Sequence, residues 1–351
     1  MTRGTAHGKV ILFGEHAVVY GVPALAAGIE RGAWAEATVQ TSADAHSSLQ
    51  VAAWNVTVTD DLTDQSPPLA RAFHDVLVAT REGQRAAGVA PVVGTVVVEA
   101  GADLPPGGGL GCSAALGVAV ARALDASASP EEIATRVNAW ERVFHGNPSG
   151  IDAAVASLGG CVFFQRRTAP TDDAVATPAA PGEPDIERVR VPVAMHLCVG
   201  HSGQASSTKS MVEAVARIRE RRPAIAQKTF DAIHTLVKNA RLAIEDGDMR
   251  AVGQLLDLNQ MLLSGLFVST PEIEQMCATA RASGALGAKL TGAGGGGCVV
   301  ALVEDAARGA AVLAAWKAEG FEGFATTVGA TAHDVREILA KLHQRALAGA
   351  P

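Results

Sequence analysis

No two of the five cysteines, Cys112, Cys161, Cys198, Cys277 and Cys298, stand close in sequence. An odd, scattered set suggests neither a disulfide framework nor a zinc site, and reads as small buried side chains in a reducing compartment. No apolar run is long enough to span a bilayer, and Met1 to Lys9 lacks an apolar signal core, so the expected location is the cytoplasm. Positive charge is not in excess. The formal net charge is -7, which argues against nonspecific binding to nucleic acid or to an anionic membrane. A locally positive pocket for a phosphate-bearing ligand remains compatible with that balance. No repeat of solenoid period occurs.

What the chain does have is apolar mass and clustered glycine. Hydrophobic residues make up 48% of its 351 residues and charged residues 19%, enough for a substantial core in one large or two ordinary domains. Val10 to Phe13 reads as a buried strand ending at Gly14, and Ala17 to Val19 as a further short element. Ser66-Pro67 opens a helix with Leu69, Phe73, Val76, Leu77 and Thr80 on one face, and Gly94 to Ala100 alternates as a strand. Ser113 to Asp125 is apolar almost all round, the pattern of a buried helix. Ser129 and Glu132 form a capping box for a helix running to about Phe144. After a turn at His145 to Gly150, Ile151 begins another helix, and Gly159 to Phe164 reads as a strand. Thr168 to Glu187, rich in Pro, Ala, Thr and Asp, reads as a surface loop and a boundary between domains 1–185 and 186–351. Ile225 to Glu245 and Met249 to Leu266 have helical periodicity, Ala288 to Gly297 reads as a glycine loop, Cys298 to Val303 as a strand, and His333 to Leu347 as a closing helix. The mixture predicts an α+β fold rather than regular βαβ alternation.

Two glycine clusters carry the functional argument. In LPPGGGLGCSAA, Leu104 to Ala115, glycines lead into a helix N-terminus, where backbone N–H groups and the positive end of the helix dipole bind phosphate. No lysine precedes Ser113, so this is not a Walker A loop. Gly109, Gly111 and Ala114 fit a loose dinucleotide pattern, but the prolines spoil its tight first turn, which leaves a nicotinamide-dependent oxidoreductase remote. In KLTGAGGGGC, Lys289 to Cys298, a strand follows the glycines, so the dinucleotide reading fails on context there too. Four consecutive glycines are costly in chain entropy and suggest a backbone lying against a ligand or another loop.

The remaining segments supply charge. In HGKVILFGEHAVVYG, Lys9, Glu15 and His16 flank a strand and a glycine turn, and next to phosphate loops Lys9 becomes a candidate charge for a transferring phosphoryl group. In ERVFHGNPSGID, Glu141 lies late on one helix and Asp152 early on the next. Two carboxylates converging beside a phosphate loop suit Mg²⁺ and a substrate hydroxyl. Taken alone, each of these charged residues reads first as a solvated surface group or a helix-terminus charge.

In this order, the segments resemble the GHMP kinases, the superfamily of galactokinase, homoserine kinase, mevalonate kinase and phosphomevalonate kinase. GKVILFGEHAVVYG, HGNPSGID, SSTKSMV (Ser206 to Val212) and LNQMLLSGLFVS (Leu258 to Ser269) are most similar to the mevalonate kinase branch. The resemblance covers most of the chain. It implies a GHMP fold of two domains with the site in the cleft between them, and transfer of the γ-phosphate of ATP to the C5 hydroxyl of (R)-mevalonate. ATP and Mg²⁺ are the implied cofactors, a small molecule is the implied partner, and a homodimer is left open. The phosphates would rest on Pro106, Gly107, Gly108, Gly109, Leu110, Gly111, Cys112 and Ser113, supported by Gly292, Gly294 and Gly295. Ser113 and Glu141 would bind the metal. Asp152 would act as base or electrostatic orienter, and Lys9 would favour the alkoxide. Glu15, His16, Asp152 and Thr208 would bind or shape the acceptor site. Cys112 and Ala153 stand where the family usually has Ser and frequently Asn, which touches fine-tuning and leaves the reaction class intact. The alternatives are another GHMP small-molecule kinase, such as one acting on phosphomevalonate or a sugar, and a non-catalytic nucleotide sensor on the same fold.

Overall fold

The computed structural model describes residues 1–40, 46–105, 108–145, 148–166, 184–205 and 207–329. The helix expected at His333 to Leu347, and most of the Thr168 to Glu187 loop, lie outside them.

The first half is built on two long strands, β1 (Thr2–Phe13) and β2 (Ala24–Gln40), paired antiparallel along nearly their whole length. The strand expected at Val10 to Phe13 is thus the buried end of a longer one. Its first residues alternate between exposed and buried, and the last six are all buried. A short 3₁₀ turn, Ala17–Tyr20, links the two. The far edge of β2 is shared end to end. β5 (Thr95–Ala102) pairs with its C-terminal part and β6 (Cys161–Gln165) with its N-terminal part. Beyond β5 lie β3 (Ser48–Val51), running parallel to it, and β4 (Val56–Thr59), and beyond β6 lies β7 (Asp185–Val189). The end of the expected surface loop is therefore strand, and the chain leaves the first sheet after Val189.

Four helices complete this half: α1 (Pro68–Ala86), α2 (Cys112–Leu124), α3 (Pro130–His145) and α4 (Ile151–Leu158). α2 packs on β1 and β2, and α3 packs on α1, α2 and α4. The fit of α2 to the sheet explains its composition. Ala, Gly and Val dominate it, and a Cβ on Gly4 of β1 would lie 2.2 Å from the Ala119 carbonyl oxygen. Only small side chains permit that approach. The capping box is formed: the Ser129 N–H donates to Glu132 Oε2 at 2.7 Å, and the Glu132 N–H to Ser129 Oγ at 3.2 Å.

The second half begins with β8 (Met195–His201) and continues through α5 (Thr208–Arg221), α6 (Pro223–Asp246), α7 (Met249–Gly265) and α8 (Pro271–Ala282). β9 (Gly287–Thr291), β10 (Cys298–Val303), α9 (Ala306–Ala318) and β11 (Glu322–Val328) follow. The antiparallel order is β11-β8-β10-β9. The expected glycine loop is thereby corrected: Gly287–Thr291 is fully buried strand, paired to β10, and the loop starts only at Gly292. One apolar cluster runs without interruption from β1 and α2 to β8, β10 and α9, so the two sheets share a core. Thr291 joins them directly. Its Oγ accepts from the Ile11 N–H at 2.8 Å and donates to the Ile11 carbonyl at 3.1 Å.

Candidate active site

The N-terminus of α2 is the floor of the site. Gly111 caps it with φ of 70°, and a Cβ there would lie 2.8 Å from Lys9 Cγ, so glycine serves both the left-handed turn and the passage of the lysine stem. The Lys9 N–H donates to the Leu110 carbonyl at 2.9 Å, which ties the loop to β1. The N–H groups of the first turn of α2 have no helical partner and face the cleft, the arrangement that receives phosphate oxygens. Cys112 stands in that turn, and burial pushes its thiol up to about 11, so it is neutral at physiological pH.

The two glycine loops meet backbone to backbone. A Cβ on Gly109 would lie 3.3 Å from the Thr291 carbonyl oxygen, and one on Gly292 would lie 3.3 Å from Gly109 Cα. Gly294 and Gly295 pack against the end of the segment after α7 and are not among the residues that line the cleft. A Cβ on Gly294 would strike the Val268 carbonyl, and the Gly295 N–H donates to that same carbonyl at 2.7 Å. Pro106 and Gly107 lie outside the described residues.

The charged residues converge above this floor. Lys9 is buried on β1, and its Nζ stands 3.0 Å from Asp152 Oδ1 in the first turn of α4. Ser113 Oγ donates to Glu141 Oε1 at 2.7 Å and accepts from the Trp140 indole N–H at 3.1 Å. Glu141 is buried, not a surface charge, and its carboxyl is pushed up to about 7, first by burial and then by the negative charge of Asp152. His145 Nε2 lies 3.7 Å from Glu141 Oε2, one turn on. The turn between α3 and α4 is pinned from behind, because the Arg166 guanidinium donates to the Ser149 carbonyl at 3.3 Å and to that of Pro148.

These residues line a cleft of about 240 Å³, together with Glu15, His16, Ser149, Thr208, Gly292 and Ala293. A vestibule of about 600 Å³ continues from it past Asp152 and Thr208 to Arg142 and Lys209. A larger depression of about 750 Å³ lies beyond Pro105, walled by β8, β11 and α9, but none of Lys9, Ser113, Glu141 and Asp152 borders it. Those four side chains gather in the smaller cleft.

Thr208 opens α5, whose N-terminus is capped by Ser207 Oγ accepting from the Ser210 N–H at 3.3 Å. His16 has φ of 59°, and its Nε2 donates to the Ala293 carbonyl at 2.8 Å, which leaves Nδ1 as an acceptor in the neutral ring. Burial lowers the pKa of that ring and favours the neutral form. Glu15 borders the cleft, yet its side chain exposes no surface. It is held by Lys289, and Asn259 Nδ2 donates to its Oε2 at 3.1 Å. The roles of Lys289, Asn259, Trp140 and His145 are not legible in sequence. Lys289, Asn259 and His145 fall inside the recognised motifs and Trp140 just before one, but an ammonium and an amide at these spacings read as surface groups.

The donor set fits a hard divalent cation. A hydroxyl and a carboxyl at 2.7 Å offer oxygen ligands, and a cation there would favour the ionised form of Glu141, which burial and the nearby Asp152 disfavour. Among the described residues no group of three or more His, Cys, Asp and Glu side chains is placed to hold a metal ion, so a Mg²⁺ held by Ser113 and Glu141 would take further ligands from water and substrate oxygens.

Comparison with known proteins agrees with this geometry. Residues 75–160 match the GHMP kinases N terminal domain, and residues 240–322 match the GHMP kinases C terminal domain. A mevalonate kinase of Pyrococcus abyssi is 32% identical over 323 residues, 86% of this chain and 88% of its own length. The crystal structure of L. major mevalonate kinase in complex with R-mevalonate superposes with a TM-score of 0.73 at 28% identity, covering 95% of this chain and 97% of that one. Streptococcus pneumoniae phosphomevalonate kinase, in complex with phosphomevalonate and AMPPNP, reaches a TM-score of 0.76 at 20% identity over 93% of this chain and all of that one, a likeness of fold alone. With its two glycine loops back to back and a relative of such identity over most of its length, the chain belongs to the GHMP kinases, in the mevalonate kinase family.

Proposed function

We propose that the cleft transfers the γ-phosphoryl group of ATP to the C5 hydroxyl of (R)-mevalonate, giving ADP and 5-phosphomevalonate. One observation carries the reading: an ammonium and a carboxylate, Lys9 and Asp152, stand 3.0 Å apart over the N-terminus of α2. Phosphoryl transfer needs positioning and charge stabilisation more than covalent help. Gly108 to Ser113 receive the phosphates on backbone N–H groups. Asp152 orients the attacking hydroxyl and accepts its proton as the oxygen closes on phosphorus. Lys9 holds the developing negative charge on that oxygen, while the bond from the γ-phosphorus to the β-phosphate oxygen breaks. Ser113 and Glu141 would hold Mg²⁺, which would supply charge neutralisation at the phosphate oxygens. ATP sits mainly on the first half of the chain, and the acceptor sits between β1, α4 and α5, with His16 and Thr208 at its borders.

The choice of acceptor rests on charge. Among the described residues the inner cleft is lined by one lysine, Lys9, and by no arginine. A phosphorylated acceptor asks for more positive charge than that, and Arg166 is turned into the turn behind the site. Arg142 and Lys209 lie farther out, in the vestibule. A substrate panel with ATP consumption as readout tests the reading. Mevalonate is expected to turn over fastest among mevalonate, phosphomevalonate, homoserine and galactose. Faster turnover of phosphomevalonate rejects it, and no ATP consumption with any acceptor turns the reading towards a sensor.

A further inference from the structure

Lys289 has no part in the transfer described above, yet its side chain and that of Glu15 are both completely buried. Its ammonium donates to the Glu15 carboxylate, to the Leu290 carbonyl and, at 3.4 Å, to the Ile11 carbonyl, which uses all three protons. The second Glu15 oxygen accepts from Asn259 on α7 at 3.1 Å. Glu15 is thus gripped from β9 and α7 at once. The next residue is His16, which has φ of 59° and is itself tied to Ala293 at 2.8 Å. A positive φ at a residue with a Cβ persists only where its surroundings over-determine it. The buried pair lies directly beneath this strained turn.

Stability alone does not account for such a pair. An apolar replacement of both partners is often neutral or stabilising, whereas removal of one partner leaves an uncompensated charge in the interior. We infer that Lys289 is a positioning residue: by holding Glu15 inside the protein, it fixes the Gly14–Ala17 turn and with it the His16 ring at the acceptor side of the cleft. The inference rests on the reading of the cleft as a phosphoryl-transfer site. It assigns Glu15 a role in shaping that site without contact to the acceptor. The nucleotide side hangs on other ties, namely the capping Gly111, the bond from the Lys9 N–H to the Leu110 carbonyl, and the Ser113–Glu141 pair.

The test is a split between the two KM values. In Lys289→Met the KM for the acceptor is expected to rise about tenfold or more, while the KM for ATP stays within about threefold. In the double variant Lys289→Met/Glu15→Gln no unpaired charge remains, and the substituted amide side chain keeps the contact to Asn259. Most of the lost acceptor affinity is expected to return. Equal rises in both KM values, an unchanged acceptor KM in a folded Lys289→Met, or a double variant no better than the single one each overturns the inference. If Lys289→Met does not fold, Asn259→Ala releases the other hold on Glu15 more gently. The same acceptor-only rise is expected there, and a rise in both KM values or in neither overturns the inference. The parent enzyme separates the two readings. If it ignores mevalonate, the proposed function fails, and the ratios are read with whichever hydroxyl acceptor of the panel it does phosphorylate.

Discussion

Asp152 and Glu141 are carboxylates of opposite circumstance. The Asp152 side chain is 31% exposed and paired with Lys9, while Glu141 is buried, and its carboxyl is raised to about 7. Asp152→Asn keeps the shape of the side chain and removes the proton acceptor. It is expected to lower kcat by about 10²–10⁴-fold with nucleotide binding intact. An unchanged rate, measured beside unchanged binding of an ATP analogue, removes Asp152 from the mechanism. Glu141 makes a prediction about stability. A carboxyl whose folded value lies above its ordinary 4.5 favours the protonated form in the native state. Its contribution is fully present below about pH 4.5 and is lost as the pH rises through about 7. The loss is on the order of 3 kcal/mol in the ligand-free protein. Thermal melts of the ligand-free protein between pH 4.5 and 8 are expected to fall more steeply for the parent than for Glu141→Gln, and parallel curves contradict the assignment. At this scale the sequence reading reaches residue identity but not environment. It names Glu141 and Asp152, yet the burial of one and the exposure of the other follow from α3 packing on α1, α2 and α4 and from α4 packing on β1.

Among the elements, the loop into α2 is the most sensitive to a single added carbon. Gly111→Ala places a Cβ 2.8 Å from Lys9 Cγ at a backbone φ of 70°. The strain of a left-handed alanine alone is about 1–2 kcal/mol, so kcat/KM for ATP is expected to fall at least about tenfold. Steady-state kinetics at saturating acceptor measure it. Parent-like kinetics mean that the loop adapts without the lysine. Ser129→Ala is the control: it removes one bond of the capping box, should cost about 1 kcal/mol of stability, and should leave kcat unchanged, because α3 remains packed at its C-terminal end. Elements with strong local signals are the ones read correctly from sequence, including the capped α3, the all-apolar α2 and the periodic α6 and α7. The central strand β2 carries no such signal. It is ALAAGIERGAWAEATVQ, rich in alanine and glycine, and it is strand because β1, β5 and β6 occupy both its edges. That is a tertiary override of weak β-propensity. β9 has the same history, since Gly287–Thr291 reads as part of a glycine loop until β10 pairs with it.

Across the whole molecule the two sheets behave as one body around a shared core, with Thr291 and Lys289 reaching from β9 to Ile11 and Glu15. A ligand that bridges the loops before α2 and after β9 should therefore stabilise the whole chain. With a non-hydrolysable ATP analogue and Mg²⁺ at about 100 times the dissociation constant, the gain is about 2.7 kcal/mol, read as a higher Tm. A chelator is expected to reverse most of that shift, because Ser113 and Glu141 alone do not complete a metal site. An equal shift with chelator present argues against a metal at Ser113 and Glu141. The sequence by itself determined the chemistry available to this protein: two glycine loops, an ammonium at position 9, carboxylates at 141 and 152, and a net negative, apolar-rich chain. These are local facts, fixed by residue type and by spacing along the chain. Only the tertiary structure decided which of those groups meet. It set Lys9 beside Asp152, laid Gly109 on Gly292, packed Gly294 against Val268 and locked Glu15 against Lys289. Contacts between residues as far apart as 15 and 289 depend on how the two sheets pack, and no local pattern encodes that packing.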